Sequence, residues 1–333
     1  MTDTRTRPDL PEGASTVAVA APDVDFAVLP DGRCRVGTGR RTVTVEAGPD
    51  AVAVLSRIVS SVLPRLTRAR PLAEQLSEAE LATVLPHLGF LRSAGVLLFP
   101  GDAVAGDLGT DEELRLYTYL SRRTATPDRL YRSIRSGRVD LLGPEDVVEA
   151  WAELLRHAGM PVGTVGPLGA DPSPSGATLT VVVSVRGDDG TPDRDPLLRE
   201  VNARWCAAGE RWVPVLVGPR TVRLGPWTAP GSSACLRCLA APHRGDPLPV
   251  RAVSGPVRST WATLQPGALA WAGGFLAHLA LRTCVPVGPN HPWGGVTLLD
   301  TERLEQSTTR AWRDPSCPDC GAIGRRVQAW AEV

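Results

Sequence analysis

The sequence predicts an α/β protein in two parts: a small winged helix-turn-helix-like module, then a larger domain in which strands alternate with helices. Three observations support this prediction. Short strand patterns followed by helices occupy residues 26–99, strand and helix patterns alternate from residue 138 onwards, and two C-x2-C pairs lie in the second part. The expected segments are a loose N-terminus (1–23), the module (24–100), a helical linker (101–137) and the α/β domain (138–333).

Composition excludes several classes of function. Hydrophobic residues make up 43% and charged residues 22% of the 333 residues, which is ordinary for a globular protein. The formal net charge is +0, which argues against nucleic-acid binding. All 36 basic residues are Arg, so a Schiff-base lysine, a pyridoxal phosphate anchor and a P-loop lysine are excluded. Because the start is polar and no apolar run reaches about 18 residues, we expect a cytoplasmic protein that does not enter a membrane.

The module is predicted from short alternating strands and amphipathic helices. Ser77 and Glu80 form a capping box that begins the third helix, and Gly95 ends the turn that follows it. The predicted strands are Phe26–Leu29, Arg33–Val36, Arg41–Ala47 and Val96–Phe99, and the predicted helices are Ala51–Leu66, Pro71–Leu76 and Glu78–Leu85, continued by Pro86–Ala94.

In the second part, a helix over Glu112–Arg122 precedes alternating strands and helices. Asp188 and Asp189 follow a β-branched run, at the strand end where α/β proteins place ligands. The predicted strands are Val139–Leu142, Val162–Val165, Thr178–Val185, Trp212–Val217 and Thr221–Leu224, with a hairpin of Val296–Leu299 and Arg303–Thr309, and the predicted helices are Pro144–His157, Leu197–Ala208 and Ala268–Arg282.

Two cysteine pairs, Cys235/Cys238 and Cys317/Cys320, have the spacing of zinc knuckles. Four thiolates make a closed tetrahedral site with no open position for substrate, so we expect structural zinc. Unligated thiols or a redox motif are the alternatives. The neighbouring Pro and Gly residues favour a loop context over a helix start, which in turn favours zinc. Three thiols are left over: Cys34, Cys206 and Cys284.

The order of strands and helices in the module resembles the PqqD-like precursor-peptide recognition element of ribosomal peptide pathways. The resemblance implies that a leader peptide adds as a strand to the third strand of the module and lies against its third helix. The binding edge would be Arg41, Thr42, Val43, Thr44, Val45 and Glu46, and the groove would be lined by Leu81, Leu85, Leu88 and Arg92. Core positions are an equal alternative for Leu81 and Leu85. A DNA-binding winged helix is a rival that Glu78 and Glu80 oppose.

A second resemblance covers the α/β domain. Asn202, Cys206, Gly209 and Gly225-Pro226, followed by Cys235-Leu236-Arg237-Cys238, resemble the ubiquitin-activating-like ThiF superfamily. Within it, the sequence is most similar to the ThiF-like partner proteins of azoline-forming and thiopeptide biosynthesis. This resemblance implies a precursor peptide and a YcaO-type, ATP-using cyclodehydratase as partners, and a possible homodimer.

The chain departs from adenylating ThiF-type enzymes at the turn that should hold ATP phosphates. The turn here is Leu142-Gly143-Pro144-Glu145: one Gly remains, Pro removes an N–H donor, and Glu145 and Asp146 would repel phosphate. Asp188 and Asp189, the candidate Mg²⁺ ligands, are more simply turn residues. The sequence therefore predicts a non-catalytic leader-binding adaptor with structural zinc, with an ATP-dependent adenylating enzyme as the alternative.

Overall fold

The structure, a computed structural model, describes residues 13–38, 41–46, 48–169, 176–186, 195–240, 266–285 and 291–321. The chain divides into two compact units, residues 1–132 and 133–333. Each unit has its own sheets and helices. None of the helices in the described ranges is long and apolar enough to cross a membrane.

Unit 1 contains two small antiparallel sheets and a set of short helices. Its strands are β1 (Val17–Ala20), β2 (Val24–Val28), β3 (Cys34–Thr38), β4 (Arg41–Val45), β5 (Arg70–Pro71) and β6 (Leu97–Leu98). Its helices are α1 (Pro49–Arg57), α2 (Leu72–Gln75), α3 (Glu78–Val84), α4 (Leu88–Ser93), α5 (Asp102–Ala105), α6 (Asp111–Ser121) and α7 (Pro127–Arg135), which continues beyond residue 132. Further helical turns over Ile58–Val62 and Leu63–Arg65 extend α1, and one over Leu85–His87 joins α3 to α4.

Strands β2, β3 and β4 form one sheet in that order, and β1 lies between β5 and β6 in the other. The expectation of a loose N-terminus is wrong at β1. Its small apolar residues show no alternation, yet pairing on both edges holds it in place, and Ala18 and Val19 are buried. Residues 1–12 lie outside the described residues.

The core of unit 1 lies under the helices. Side chains from α1 and its extension, α2, α3 and α4 pack with Val36 of β3, and Val43 of β4 packs on the same cluster. The predicted capping box of Ser77 and Glu80 is confirmed at the start of α3. Its Glu80 carboxylate also accepts a hydrogen bond from Arg65 (2.6 Å).

Helices α5 to α7 occupy most of the segment that the sequence assigns to a linker. The Tyr117 hydroxyl of α6 donates a hydrogen bond to Asp128 Oδ1 of α7 (2.6 Å), and Asp128 Oδ2 accepts the Gly101 N–H (2.9 Å). These bonds tie α6 and α7 to the end of the module. Residues up to 132 therefore belong to unit 1.

Unit 2 is built on a seven-stranded mixed sheet. Its strands are β7 (Val139–Leu142), β8 (Val162–Gly166), β9 (Leu179–Val185), β10 (Trp212–Val217), β11 (Thr221–Leu224), β12 (Gly295–Asp300) and β13 (Glu305–Arg310). Its helices are α8 (Glu145–His157), α9 (Pro196–Ala208), α10 (Leu236–Ala240) and α11 (Pro266–Cys284). The strand order is β13-β12-β11-β10-β9-β7-β8.

The parallel half of this sheet, β8-β7-β9-β10, is doubly wound. The chain leaves β7 in one direction and β9 in the other, so right-handed crossovers place α8 and α9 on opposite faces of the sheet. Helix α11 packs on α8: Gly273 lies so close that an added Cβ would be 2.4 Å from Trp151 Cδ1. The Trp151 indole N–H donates to Leu269 O (3.0 Å).

The antiparallel half carries the chain back to the second cysteine pair. Strand β10 pairs with β11, β11 with β12, and β12 with β13. The predicted hairpin is confirmed as β12 and β13. All six residues of β13 are exposed, whereas β10 is buried along its whole length.

Candidate functional site

The four predicted metal ligands, Cys235, Cys238, Cys317 and Cys320, come together in unit 2. Their Sγ atoms all lie within 4.8 Å of one another, and all four residues are buried. Sγ to Sγ distances are 3.8 Å within the first pair, 3.7 Å from Cys235 to Cys317, and 3.5 Å from Cys238 to Cys320. The two pairs therefore form one cluster, as their spacing predicts.

These separations fit a tetrahedral metal centre. With metal–sulfur bonds of about 2.3 Å, the edge of a tetrahedron of four sulfurs is about 3.8 Å. Disulfide sulfurs would be about 2.05 Å apart, so the thiols are not oxidised to each other. The donor set is four soft sulfurs, which suits zinc or an iron–sulfur-type metal more than a hard cation.

The local context of the first pair differs from the expected one. Cys235 immediately precedes α10, so Cys235 and Cys238 lie at a helix start and not in a loop. The Leu236 N–H at this helix start donates to Asn202 Oδ1 (2.9 Å). The preceding Pro230-Gly231 signals a turn, but the five-residue helix that follows is too short for a sequence period to reveal it.

Asn202, on α9, links the two halves of the cluster. Its Oδ1 accepts the Leu236 N–H, while its Nδ2 donates to Asp319 Oδ2 (2.7 Å) and lies 3.6 Å from Cys235 Sγ. The side chain is 1% exposed. Arg237 reaches the other oxygen of Asp319 from the surface (3.5 Å). The Asn202 side-chain amide therefore fixes the positions of the helix start, the second cysteine pair and the Cys235 sulfur relative to one another.

The second pair is held by its own turn. The Asp314 N–H donates to Cys238 Sγ (3.4 Å), and the Cys317 N–H donates to Asp314 O (3.1 Å). At Gly321 an added Cβ would lie 2.4 Å from Cys317 O, so this position accepts only glycine. Backbone N–H groups directed at thiolate sulfurs are typical of metal knuckles, because they stabilise the anionic ligand.

The close approach of the thiols sets their ionisation. Hydrogen bonds from Cys206, Cys238 and Cys320 lower the pKa of Cys235, which is the favoured thiolate. The hydrogen bond to that thiolate raises the pKa of Cys238 to about 11 and raises the pKa of Cys320 further. Four buried thiols this close cannot all ionise without a bound cation to neutralise them.

The predicted peptide-binding edge is an edge strand. Among the described residues β4 pairs only with β3, and its other edge faces no strand. Thr42 and Thr44 are exposed, while Val43 and Val45 are half-buried, and Val43 packs on the core of unit 1. Arg41 begins β4, and Ala47, at the end of the predicted strand, lies outside the described residues.

The four predicted groove residues do not share one environment. Leu81 is 4% exposed and is part of the core, so the core interpretation is the better one for it. Leu85 and Leu88 are partly buried, and their methyl groups lie next to Gly13, where an added Cβ would be 3.4 Å away from each. Arg92 is exposed, with its guanidinium 5.2 Å from the centre of the Phe99 ring.

The turn after β7, where a nucleotide site is expected, is packed against the sheet. An added Cβ at Gly143 would lie 2.7 Å from both Cβ and O of Val183, so this glycine is required by strand packing. Pro144 precedes α8 and supplies no N–H donor. Glu145 and Asp146 are exposed in the first turn, where their charge opposes an anion.

The start of α9, after β9, is capped by the carboxylate of Asp195, which is not among the predicted site residues. Asp195 Oδ1 accepts the Leu197 N–H (3.0 Å), and its Oδ2 accepts bonds from Ser184 (3.1 Å) and Arg186 (3.2 Å). Asp preceding Pro at the first helical position is the available signal. Asp188 and Asp189 lie outside the described residues.

Comparisons with known proteins show the fold. No family model and no curated protein matches the chain. A heterocyclase solved in complex with substrate and cofactor aligns over 92% of the chain at 21% identity and TM-score 0.61, and the heterocyclase TruD does so at 18% identity and TM-score 0.57. The chain spans only 40% and 43% of those two chains. Escherichia coli MccB, solved with selenomethionyl MccA, aligns with 99% of its length at 13% identity and TM-score 0.51.

Proposed function

We propose that this protein is a non-catalytic adaptor that binds the leader of a ribosomally made precursor peptide and delivers it to a YcaO-type cyclodehydratase for azoline formation. The leader adds to the free edge of β4. Unit 2 is a ThiF-like scaffold that docks the cyclodehydratase. The observation that carries the proposal is the edge of β4, which no other strand of the described residues covers, in a sheet that packs on helices of the same small unit.

The β4 edge suits an added strand. Its exposed polar and half-buried apolar residues alternate, so a peptide strand beside it would have one face against the core and one face in water. Main-chain hydrogen bonds then supply affinity whatever the sequence of the leader, and alternate side chains supply selectivity. Of the predicted groove residues, Leu85, Leu88 and Arg92 remain candidates for contact, and Leu81 supports the core beneath.

The metal centre is proposed to hold structural zinc. Four thiolates at tetrahedral spacing close the coordination sphere, so a bound Zn²⁺ offers no position to a substrate. The metal joins the α9 and α10 region to the segment after β13. Its role is to hold the fold of unit 2.

We propose that this chain is not a catalyst because of the residues at two helix starts, which follow the carboxyl ends of β7 and β9. In open α/β sheets the ligand site lies where the strand order reverses, which here is between these two strands. The start of α8 has Pro144, Glu145 and Asp146, and the start of α9 is capped by Asp195. Helix starts at these positions bind phosphate in nucleotide-binding proteins, but here both carry carboxylates of the protein itself, which disfavour a bound phosphate.

The proposed partner is a YcaO-type cyclodehydratase, and the heterocyclases are the solved structures that bear on it. Those chains are more than twice as long as this one and match it over 92% of its residues. We propose that a YcaO-type protein supplies the catalytic function, as the resemblance of the sequence to partner proteins of azoline-forming biosynthesis implies. Holding the leader beside that enzyme makes the encounter with the core peptide intramolecular and raises its effective concentration. A homodimer and a cytoplasmic location stay predictions from the sequence.

The alternative is an ATP-dependent adenylating enzyme that acts on a peptide, because MccB has also been solved with ATP. Two titrations of the full chain separate the functions. An adaptor binds a fluorescein-labelled leader in fluorescence polarisation and gives no heat with Mg-ATP in calorimetry. ATP binding together with peptide-dependent pyrophosphate exchange would replace the adaptor with the enzyme.

A further inference from the structure

Unit 2 contains a basic cavity that is separate from the metal centre and from the proposed leader-binding edge. It has a volume of about 520 Å³ and lies between α11 and one face of β12 and β13. Its lining includes Trp227, Arg282, His291, Thr308 and Arg310. Among the described residues that line it there is no Asp or Glu. The cavity therefore favours a ligand that brings negative charge.

Several donors converge on this cavity. Arg310 uses Nη2 to bond His291 O (3.1 Å), which fixes the side chain and leaves other donors on the same guanidinium. Burial lowers the pKa of His291, and the charges of Arg282, Arg310 and Arg211 lower it further, because positive charge near the imidazole disfavours its protonation. The Trp227 indole N–H is buried and has no acceptor among the described residues.

The same residues belong to an exposed sheet edge. Within the described part of the chain, β13 pairs only with β12, at the end of the seven-stranded sheet. The Ala311 N–H donates to Gly294 O (2.8 Å), so the odd-numbered residues of β13 are the ones whose backbone groups bond to β12. The N–H and C=O groups of Gln306, Thr308 and Arg310 therefore point away from β12. All six residues of β13 are exposed.

The face of β13 that borders the cavity presents the side chains of those same three residues. Gln306, Thr308 and Arg310 lie in register with Leu299, Thr297 and Gly295 of β12, and Glu305 is on the opposite face. A strand added beside β13 would place every second side chain on the cavity face. Acidic residues at those positions would meet Arg310 and the donors behind it.

We propose that β13 and the adjoining cavity bind an extended acidic peptide segment, with its backbone paired to β13 and its alternate carboxylates directed to Arg310 and the cavity. This site is distinct from the β4 edge, which is in unit 1, and it does not depend on leader binding there. It gives the scaffold unit a docking site of defined chemistry for an acidic segment of a protein partner.

The test uses the full chain and two fluorescein-labelled peptides, one of alternating Glu and Thr and one of alternating Gln and Thr. In fluorescence polarisation we expect the Glu peptide to bind at least about tenfold tighter, because charge-assisted bonds to Arg are lost with Gln. Its affinity should fall as NaCl is raised. Equal affinity of the two peptides would overturn the proposal.

Variants locate the site. Arg310→Gln should weaken the Glu peptide about tenfold, while Arg303→Gln, an equal change of charge in the exposed β12–β13 turn, should leave it unchanged. Thr308→Pro removes an outward N–H and the hydroxyl contact with Thr297 (3.1 Å), but no backbone bond to β12, and it should also weaken binding. Wild-type affinity in both Arg310→Gln and Thr308→Pro, with folding confirmed by circular dichroism, would refute the site. Val45→Glu, which tests the leader edge, should not alter binding of the Glu peptide.

Discussion

The Asn202 amide is the contact on which the geometry of the metal centre most depends, so Asn202→Ala is the most informative single change. The substitution leaves the Leu236 N–H without its acceptor at 2.9 Å and Asp319 without its donor at 2.7 Å. A buried unsatisfied donor costs about 1–3 kcal/mol, and a bond to a charged acceptor adds about 1.5 kcal/mol or more. We expect the free energy of unfolding to fall by about 2.5–4.5 kcal/mol.

Metal affinity should fall with it. Loss of a group that orients metal ligands typically costs about 10- to 100-fold in affinity. Urea unfolding of the zinc-loaded protein measures the first effect, and competition with a chromophoric chelator measures the second. Arg237→Gln is the matched control: Arg237 contacts the same Asp319 from an exposed position, so its loss should cost under about 1 kcal/mol. If Asn202→Ala behaves like this control in both assays, the assigned role of Asn202 is wrong.

Three further predictions concern the packing of Gly143, the bound metal and the ion pair of Arg122 with Asp23. Gly143→Ala should lower the free energy of unfolding by about 1–3 kcal/mol in urea titrations, because its Cβ would lie 2.7 Å from Val183 Cβ and O; an unchanged midpoint would contradict the close packing. Removing the metal with a chelator should lower the melting temperature of unit 2, since four buried thiols then lack a compensating cation; calorimetry that shows no shift would remove the stabilising role of the metal. Arg122 holds the pKa of Asp23 below its ordinary value of 3.8, mainly by hydrogen bonding. This pair therefore stabilises the fold at pH values above 3.8, and the stabilisation is lost as the pH falls through the lowered pKa of the folded state. Arg122→Gln should therefore lose a small amount of stability at neutral pH, under about 1 kcal/mol because the Asp23 carboxylate is exposed to solvent, and should lose none in strong acid. An equal loss at both pH values would point to the packing of the largely buried Arg122 side chain instead.

The elements that the sequence predicts best are those with a strong local pattern. Trp212–Val217 matches β10 because a continuous apolar run identifies a central strand, and Thr221–Leu224 matches β11, whose residues alternate between half-buried and buried. Strand β1 was missed because Ala has a weak preference for strands, and only pairing with β5 and β6 holds it there. Helix α7 was missed as well, although Tyr131 and Ile134 are buried on one side of it.

In the candidate sites, too, the sequence predicts what depends on local spacing and not what depends on contacts between distant residues. The spacing of the four cysteines is a local property of the sequence, and it predicts the cluster that the structure contains. The roles of Asn202 and Asp319 depend on residues 117 positions apart in the chain, which no local pattern reveals. The groove prediction carried Leu81 over from a resemblance, and the burial of that residue could be known only from the packing of α3.

The central claim is that the leader binds at the free edge of β4, and a matched pair of variants tests it most directly. Val28, Cys34 and Val45 lie in one register row across β2, β3 and β4, so Val45→Glu and Val28→Glu place the same charge at the two opposite edges of one sheet. Fluorescence polarisation with a labelled leader should show binding weakened about tenfold or more by Val45→Glu and unchanged by Val28→Glu. Equal affinity of both variants and the wild type would contradict the account.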